Sequence, residues 1–182
     1  MRGTTGQDAF TATYQHFPLA QFVKNRLRNE RQQGGRMLPK TILVATDLSD
    51  VSDPALQYAC DLAAKLDGKI ALVNVIGLPT MGIAEIGLAV TNATIEAQVH
   101  DNEEALERIA EDARARCSVG PVLLKTGDAS DMIGEAARET GADLIVMGTH
   151  GRTGVSRLLL GSVAEKVMRT APCPVLTIRA PD

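Results

Sequence analysis

Five short apolar runs, each divided from the next by a loop and a helix-length segment, constrain this chain more than anything else in it. They occupy residues 41–46 (TILVAT), 70–76 (IALVNVI), 122–126 (VLLKT), 144–147 (LIVM) and 175–179 (VLTIR). The first is almost continuously apolar, as a parallel strand covered on both faces should be. The intervening segments carry a helical period. Asp53 is placed to cap a helix with Pro54 at its first position. That helix puts Leu56, Ala59, Cys60, Ala63 and Leu66 on one face and stops at Gly68. Residues 77–93 form a loop longer than most connections. Residues 95–116 repeat Ile95, Val99, Leu106, Ile109 and Ala113 near a 3.6-residue period. A third helix over 129–140 bears Met132, Ile133, Ala136 and Ala137 and closes at Gly141; a fourth, over 163–170, is stopped by Pro172. Strands joined by helical crossovers pair in parallel, so the fold class is α/β: an open five-stranded parallel sheet with right-handed connections. A chain of 182 residues suits one such domain.

The loop after the fourth run reads GTHGRTGVSRLLLGSV from Gly148 to Val163. Gly148 and Gly151 bracket two residues, and nine residues separate Gly151 from Gly161. Ser162-x-x-Glu165 fits a capping box, which starts the last helix at Ser162. Strand, glycine-punctuated loop and helix start together surround a concavity with backbone N–H groups, an anion cradle suited to nucleotide phosphates. In an open parallel sheet, ligands bind beyond the carboxyl ends of the strands where the winding reverses. Asp47 ends the first run. Its carboxylate is placed either to accept hydrogen bonds from ribose hydroxyls or to form an Asx turn or cap into the next helix. Val75, at the end of the second run, is placed to offer main-chain groups to a base edge. Asp47 and the glycine loop converge if strands one and four are neighbours.

Charge and composition remove several classes of function. The net charge of −3 divides into +5 over residues 1–40 and −8 over the rest, and an acidic body argues against nonspecific nucleic-acid binding. With aromatics at 3%, stacking platforms for single strands are missing. Cys60, Cys117 and Cys173 are odd in number and widely spaced, forming neither a metal pair nor a disulfide framework; they read as small core hydrophobes in a reducing cytoplasm. His100 has no His or Cys at ligand spacing, so no metal site is expected there. No apolar run approaches the roughly 20 residues of a membrane span, and the N-terminus shows no apolar signal region. Residues 1–37 form a basic extension ahead of a domain over 38–182. The extension reads as a disordered tail, as the product of a start codon placed upstream of Met37, or as a partner-binding arm.

From Leu38 to Arg179 the chain resembles the universal stress protein family. The resemblance is carried by residues 42–49 (ILVATDLS), 72–75 (LVNV), 142–152 (ADLIVMGTHGR), 159–167 (LLGSVAEKV) and 171–176 (APCPVL). Nucleotide-binding members share a glycine, two residues, a glycine, nine residues, then glycine and Ser or Thr; this chain has Gly148, Gly151, Gly161 and Ser162. The resemblance implies strand order 3-2-1-4-5 with helices on both faces, the Rossmann-like, adenine nucleotide alpha-hydrolase-like arrangement. It implies ATP with Mg²⁺ in the cleft. Ala45 and Asp47 would line the adenosine side, with Asp47 on the ribose. Val75 and Met147 would meet the base, and Gly148, Gly151, Gly161, Ser162 and Val163 would surround ribose and phosphates. It further implies a regulatory protein of the stress response that forms a homodimer through the last strand, from Val175 to Arg179, and signals to a downstream protein. The chain departs from the family pattern at Asn74, where His is common, and in its basic leader.

Two other functions compete. An enzyme hydrolysing or transferring phosphate would use Asp47 and Asp50 near Mg²⁺. Yet the loop lacks the GxxxxGK[ST] lysine of P-loop enzymes and any carboxylate placed as a base, which leaves at most slow hydrolysis and no catalytic residue to name. A nucleotide-free member would act through protein contacts alone, but such members lose the glycine spacing kept here. Arg152 and Arg157 are candidates to neutralise phosphate or simply solvated, and His150 either meets a phosphate or lies on the loop surface. Residues 83–90 read as a packed flap, and Cys173, between two prolines, as a packed thiol.

Overall fold

The computed structural model describes residues 38–77, 92–149 and 161–179. Five strands, β1 (Thr41–Ala45), β2 (Lys69–Ile76), β3 (Val119–Thr126), β4 (Leu144–Gly148) and β5 (Val175–Ile178), alternate with four helices, α1 (Asp53–Lys65), α2 (Asn92–Arg114), α3 (Ala129–Thr140) and α4 (Ser162–Thr170). The strands form one parallel sheet of order β3-β2-β1-β4-β5. β1 lies between β2 and β4, so the winding reverses at its carboxyl end.

The two-residue period of each strand divides the core into two layers. Ile42 and Val44 of β1, with Ile70 and Leu72 of β2, face α1 and α2; Leu43 and Ala45, with Ala71 and Val73, face α3 and α4. All but Ala45 of these are fully buried, and each large aliphatic side chain contributes about 1.5–3 kcal/mol over exposure. The helices answer with small residues: Ala55, Ala59, Cys60 and Ala63 on α1, Ala136 and Ala137 on α3. Short side chains let the helix axes approach the sheet, which explains a core built almost without aromatics. Cys60 and Cys173 are buried and Cys117 is half-buried. Burial, with Cys117 beside it, pushes the Cys60 thiol up to about 12, so it is a packing group and not a nucleophile.

Several boundaries differ from the sequence reading. β3 begins at Val119, three residues early, because Gly120-Pro121 reads as a breaker. The proline is tolerated because β3 is a sheet edge, and the register with β2 shifts between Ile70 and Leu72. Asp53 is the first residue of α1 and not its cap. Ser52 holds the cap position without a side-chain cap bond, because its backbone is already helical, at φ −85° and ψ −15°, rather than extended; its hydroxyl donates to the Ser49 carbonyl at 2.7 Å. At the other end, the left-handed residue is Asp67, with φ of 49°. Gly68 is required for a different reason: a Cβ there would lie 2.8 Å from the Lys40 carbonyl oxygen. α3 closes as expected, on Gly141 at φ of 63°, and α4 ends as expected at Thr170, ahead of Pro172.

Candidate functional site

The carboxyl ends of β1, β2 and β4, the starts of α3 and α4 and one face of α2 enclose a cavity of about 350 Å³. Of the residues expected at a nucleotide site, Ala45, Asp47, Val75, Met147, Gly148, Gly161, Ser162 and Val163 all line it. Gly151 lies outside the described residues, as do His150, Arg152, Arg157 and the segment 83–90.

Asp47 is aimed by a strained turn. Leu48, which follows it, adopts φ of 62°, a left-handed conformation that costs an L-residue about 1–2 kcal/mol. The turn persists because its polar groups are met: Leu48 N donates to Thr46 Oγ1 at 3.0 Å, and Asp47 Oδ1 accepts from Ser49 N at 3.2 Å and Ser49 Oγ at 2.6 Å. The Asx-turn alternative for Asp47 is therefore realised, and the same half-buried residue also borders the cavity. Because the Ser52 hydroxyl proton goes to Ser49 O, the 2.8 Å bond between Thr46 Oγ1 and Ser52 Oγ has Thr46 as its donor. Asp50 is exposed and does not line the cavity, which corrects its placement beside Asp47 at the ligand.

The opposite wall is the start of α4. Gly161 is the N-cap, at φ −61° and ψ 145°, with no side-chain cap bond. The capping box is thus absent: Ser162 is the first helical residue rather than the cap, which puts Glu165 one position too far along to reach back. The first helical bond runs from Glu165 N to Gly161 O at 2.9 Å. The amides of Ser162, Val163 and Ala164 consequently have no intrahelical acceptor, and all three residues line the cavity. Gly161 N donates to Thr149 O at 2.8 Å, and Thr149 N to Ile178 O at 2.9 Å. The first bond brings the two ends of the glycine loop together at the edge of the site, and the second ties them to β5. The extended backbone at Gly161 is open to any residue, so glycine serves there by leaving the amides uncovered.

Sequence reasoning missed a third wall. Asn74, Gln98 and Asn102 line the cavity as well. Asn74 is buried and donates through Nδ2 to Thr46 O at 2.9 Å, while its Oδ1 accepts from Asn102 Nδ2 at 3.2 Å. The signal available was the single polar residue inside the apolar run of β2. His100 points elsewhere, with its Nε2 3.2 Å from Glu104 on the surface of α2. Cys173 is packed in the α3–α4 layer. Among the described residues no cluster of three or more His, Cys, Asp or Glu is arranged for a metal ion, and no helix is long and apolar enough to cross a membrane.

Fold and cavity define an open, doubly wound parallel α/β domain with a ligand-sized cleft at its switch point. Residues 39–179 match the profile of the universal stress protein family, and the chain belongs to that family. It is 34% identical over 166 residues to a universal stress protein of Methanocaldococcus jannaschii, covering 87% of this chain and 93% of that one. Among solved structures, a universal stress protein family member from Burkholderia pseudomallei is 32% identical, with a TM-score of 0.62 over 78% of this chain and 96% of that one. A universal stress protein solved in complex with cAMP is 23% identical, with a TM-score of 0.59 over 79% and 99%, a likeness of fold alone.

Proposed function

We propose that this protein is an ATP-binding regulatory module of the cellular stress response. One observation carries the reading: a single cavity joins an acidic residue on a strained turn, Asp47, to three helix-start amides at Ser162, Val163 and Ala164. Acceptors for sugar hydroxyls at one point and donors for phosphate oxygens at another match a nucleotide and mismatch a simple anion. Met147 and Val75 add apolar surface for a base, and Mg²⁺ would enter on the phosphates. A universal stress protein of the same fold has been solved in complex with cAMP, so cAMP is the competing ligand to test. The module acts in the cytoplasm on a downstream protein. It works as a homodimer through β5, the edge strand opposite β3, whose residues Val175, Leu176, Thr177 and Ile178 are all half-buried within one copy. An apolar edge of this kind is protected by pairing with a second copy.

Mass spectrometry of purified, undialysed protein should recover ATP, and calorimetry with Mg²⁺ should show ATP binding more tightly than cAMP. Asp47→Ala should weaken ATP by about 10- to 100-fold, the range for a hydrogen bond to a charged group. Asp47→Asn should keep the turn and part of that affinity. Absence of any bound or bindable nucleotide would defeat the reading. Robust steady-state ATP hydrolysis, abolished by both Asp47→Ala and Gly161→Val, would replace a binding module with an enzyme.

A further inference from the structure

We infer that Asn102, held by Asn74, selects a base carrying an exocyclic amine, adenine over a purine with a carbonyl at the same position. The inference rests on the reading of the cavity as a nucleotide site and deepens it.

The three walls of the cavity follow the order of the sheet. α4 starts after β4 and packs on β5 and α3, Asp47 lies just beyond the end of β1, and α2 packs on β2 and β3. Phosphate belongs at the helix-start amides and the sugar at Asp47, so the base falls toward β2 and the α2 wall. That wall offers the neutral carboxamides of Gln98 and Asn102, with neither the cation nor the open helix start that a phosphate calls for.

The orientation of the Asn102 carboxamide follows from a chain of hydrogen bonds that begins at a fixed point. A backbone carbonyl can only accept, so the Asn74 group facing Thr46 O at 2.9 Å is its NH₂. Asn74 must then offer Oδ1 to Asn102, and Asn102 must answer with its NH₂, at 3.2 Å. Neither amide can be turned over without setting donor against donor or acceptor against acceptor. Asn74 is 4% exposed, so water does not relieve such a clash. What remains of Asn102 is one N–H and the Oδ1 acceptor, to which no described residue donates. An amine next to a ring nitrogen, the edge of adenine, meets that pair with a donor and an acceptor. A carbonyl next to a ring N–H meets it with the polarity reversed.

Anchoring is what creates the selectivity. A carboxamide free to rotate serves either edge equally well, since turning it over exchanges its donor and acceptor. Asn102 cannot turn without breaking its bond to Asn74. Asn74 is therefore a positioning residue, and Asn102 the group in contact with the ligand.

The test compares ATP with inosine triphosphate, which replaces the amine with a carbonyl, by calorimetry on the full chain with Mg²⁺. Wild type should favour ATP by about tenfold or more, the cost of leaving one buried polar group unmet. Asn102→Ala, a change on a half-buried helix surface, should weaken ATP and bring the ratio toward one. Asn74→Leu should bring the ratio toward one chiefly by strengthening inosine triphosphate, a change that mere loss of structure would not produce. Tight ATP binding with an unaltered ratio in Asn102→Ala would overturn the inference and leave the nucleotide site standing. Failure to bind either nucleotide would overturn both.

Discussion

α3 and α4 start at the same end of the sheet, pack against each other, and treat their first amides in opposite ways. At α3, Asp128 holds the N-cap and closes it: Oδ1 accepts from Ser130 N at 3.0 Å and Asp131 N at 3.1 Å, and from the Ser130 hydroxyl. Lys166, reaching across from α4, adds a contact to the same carboxylate at 3.1 Å and another to Asp131 at 3.3 Å. At α4, Gly161 holds the equivalent position and brings nothing to cap with. A helix start that satisfies its own amides has none to give a ligand, whereas one left open retains both its donors and its positive dipole end. Stability and ligand binding would draw on the same groups, and the fold caps one helix start and leaves the other open.

The sharpest way to break this contrast is to give α4 the cap that α3 has. Gly161→Asp would place a carboxylate where it accepts from the Val163 and Ala164 amides, in backbone that any residue can adopt. The helix should gain a few tenths of a kcal/mol, since glycine is already a fair cap. Nucleotide affinity should fall by at least about 100-fold, because two charge-assisted bonds to phosphate are lost and a negative charge replaces them. Calorimetry and a urea midpoint measure the two effects on one sample. Higher stability with undiminished ATP binding would show that these amides are not the phosphate site.

The same contrast shows which parts of the molecule were legible beforehand. Strand and helix alternation was visible because buried parallel strands read as short apolar runs. Asp47 and Gly148 stood out because each follows or closes such a run, and Gly161 because of its spacing from Gly151. The cap assignments failed at Asp53 and Ser162, since an acid or serine near a helix start looks alike at the cap and one residue inside. The decision rests with the backbone, already helical at Ser52 and extended at Gly161. β3 was shortened by Gly120-Pro121, whose missing donor matters only in an interior strand. The α2 wall was hidden for another reason. Asn102 reaches Asn74 across 28 residues of chain, and on a helix it looks like any solvated polar residue. Its role depends on the polarity imposed by Thr46 O, which no local pattern carries.

A smaller effect separates the charge on the α3 cap from the cap itself. Asparagine caps as well as aspartate, so Asp128→Asn keeps the bonds from Ser130 N and Asp131 N and removes only the charge. The Ser130 hydroxyl first, then the Asp131 amide and Lys166, hold the Asp128 carboxyl well below the usual carboxylate range. A carboxyl depressed in the folded state stabilises above its unfolded pKa, about 3.9. That contribution fades as pH falls below this value toward the folded one. Wild type should therefore exceed Asp128→Asn in urea midpoint by a small, constant margin near neutrality that shrinks below about pH 4. Added salt should shrink it too, because the group is on the surface. ATP affinity at neutral pH should change little, since the Asp128 carboxylate is turned to its own helix start and to Lys166 and does not itself line the cavity. A margin insensitive to pH would remove the charge from the account of α3, and a parallel loss of ATP affinity would mean that the two helix starts are not independent.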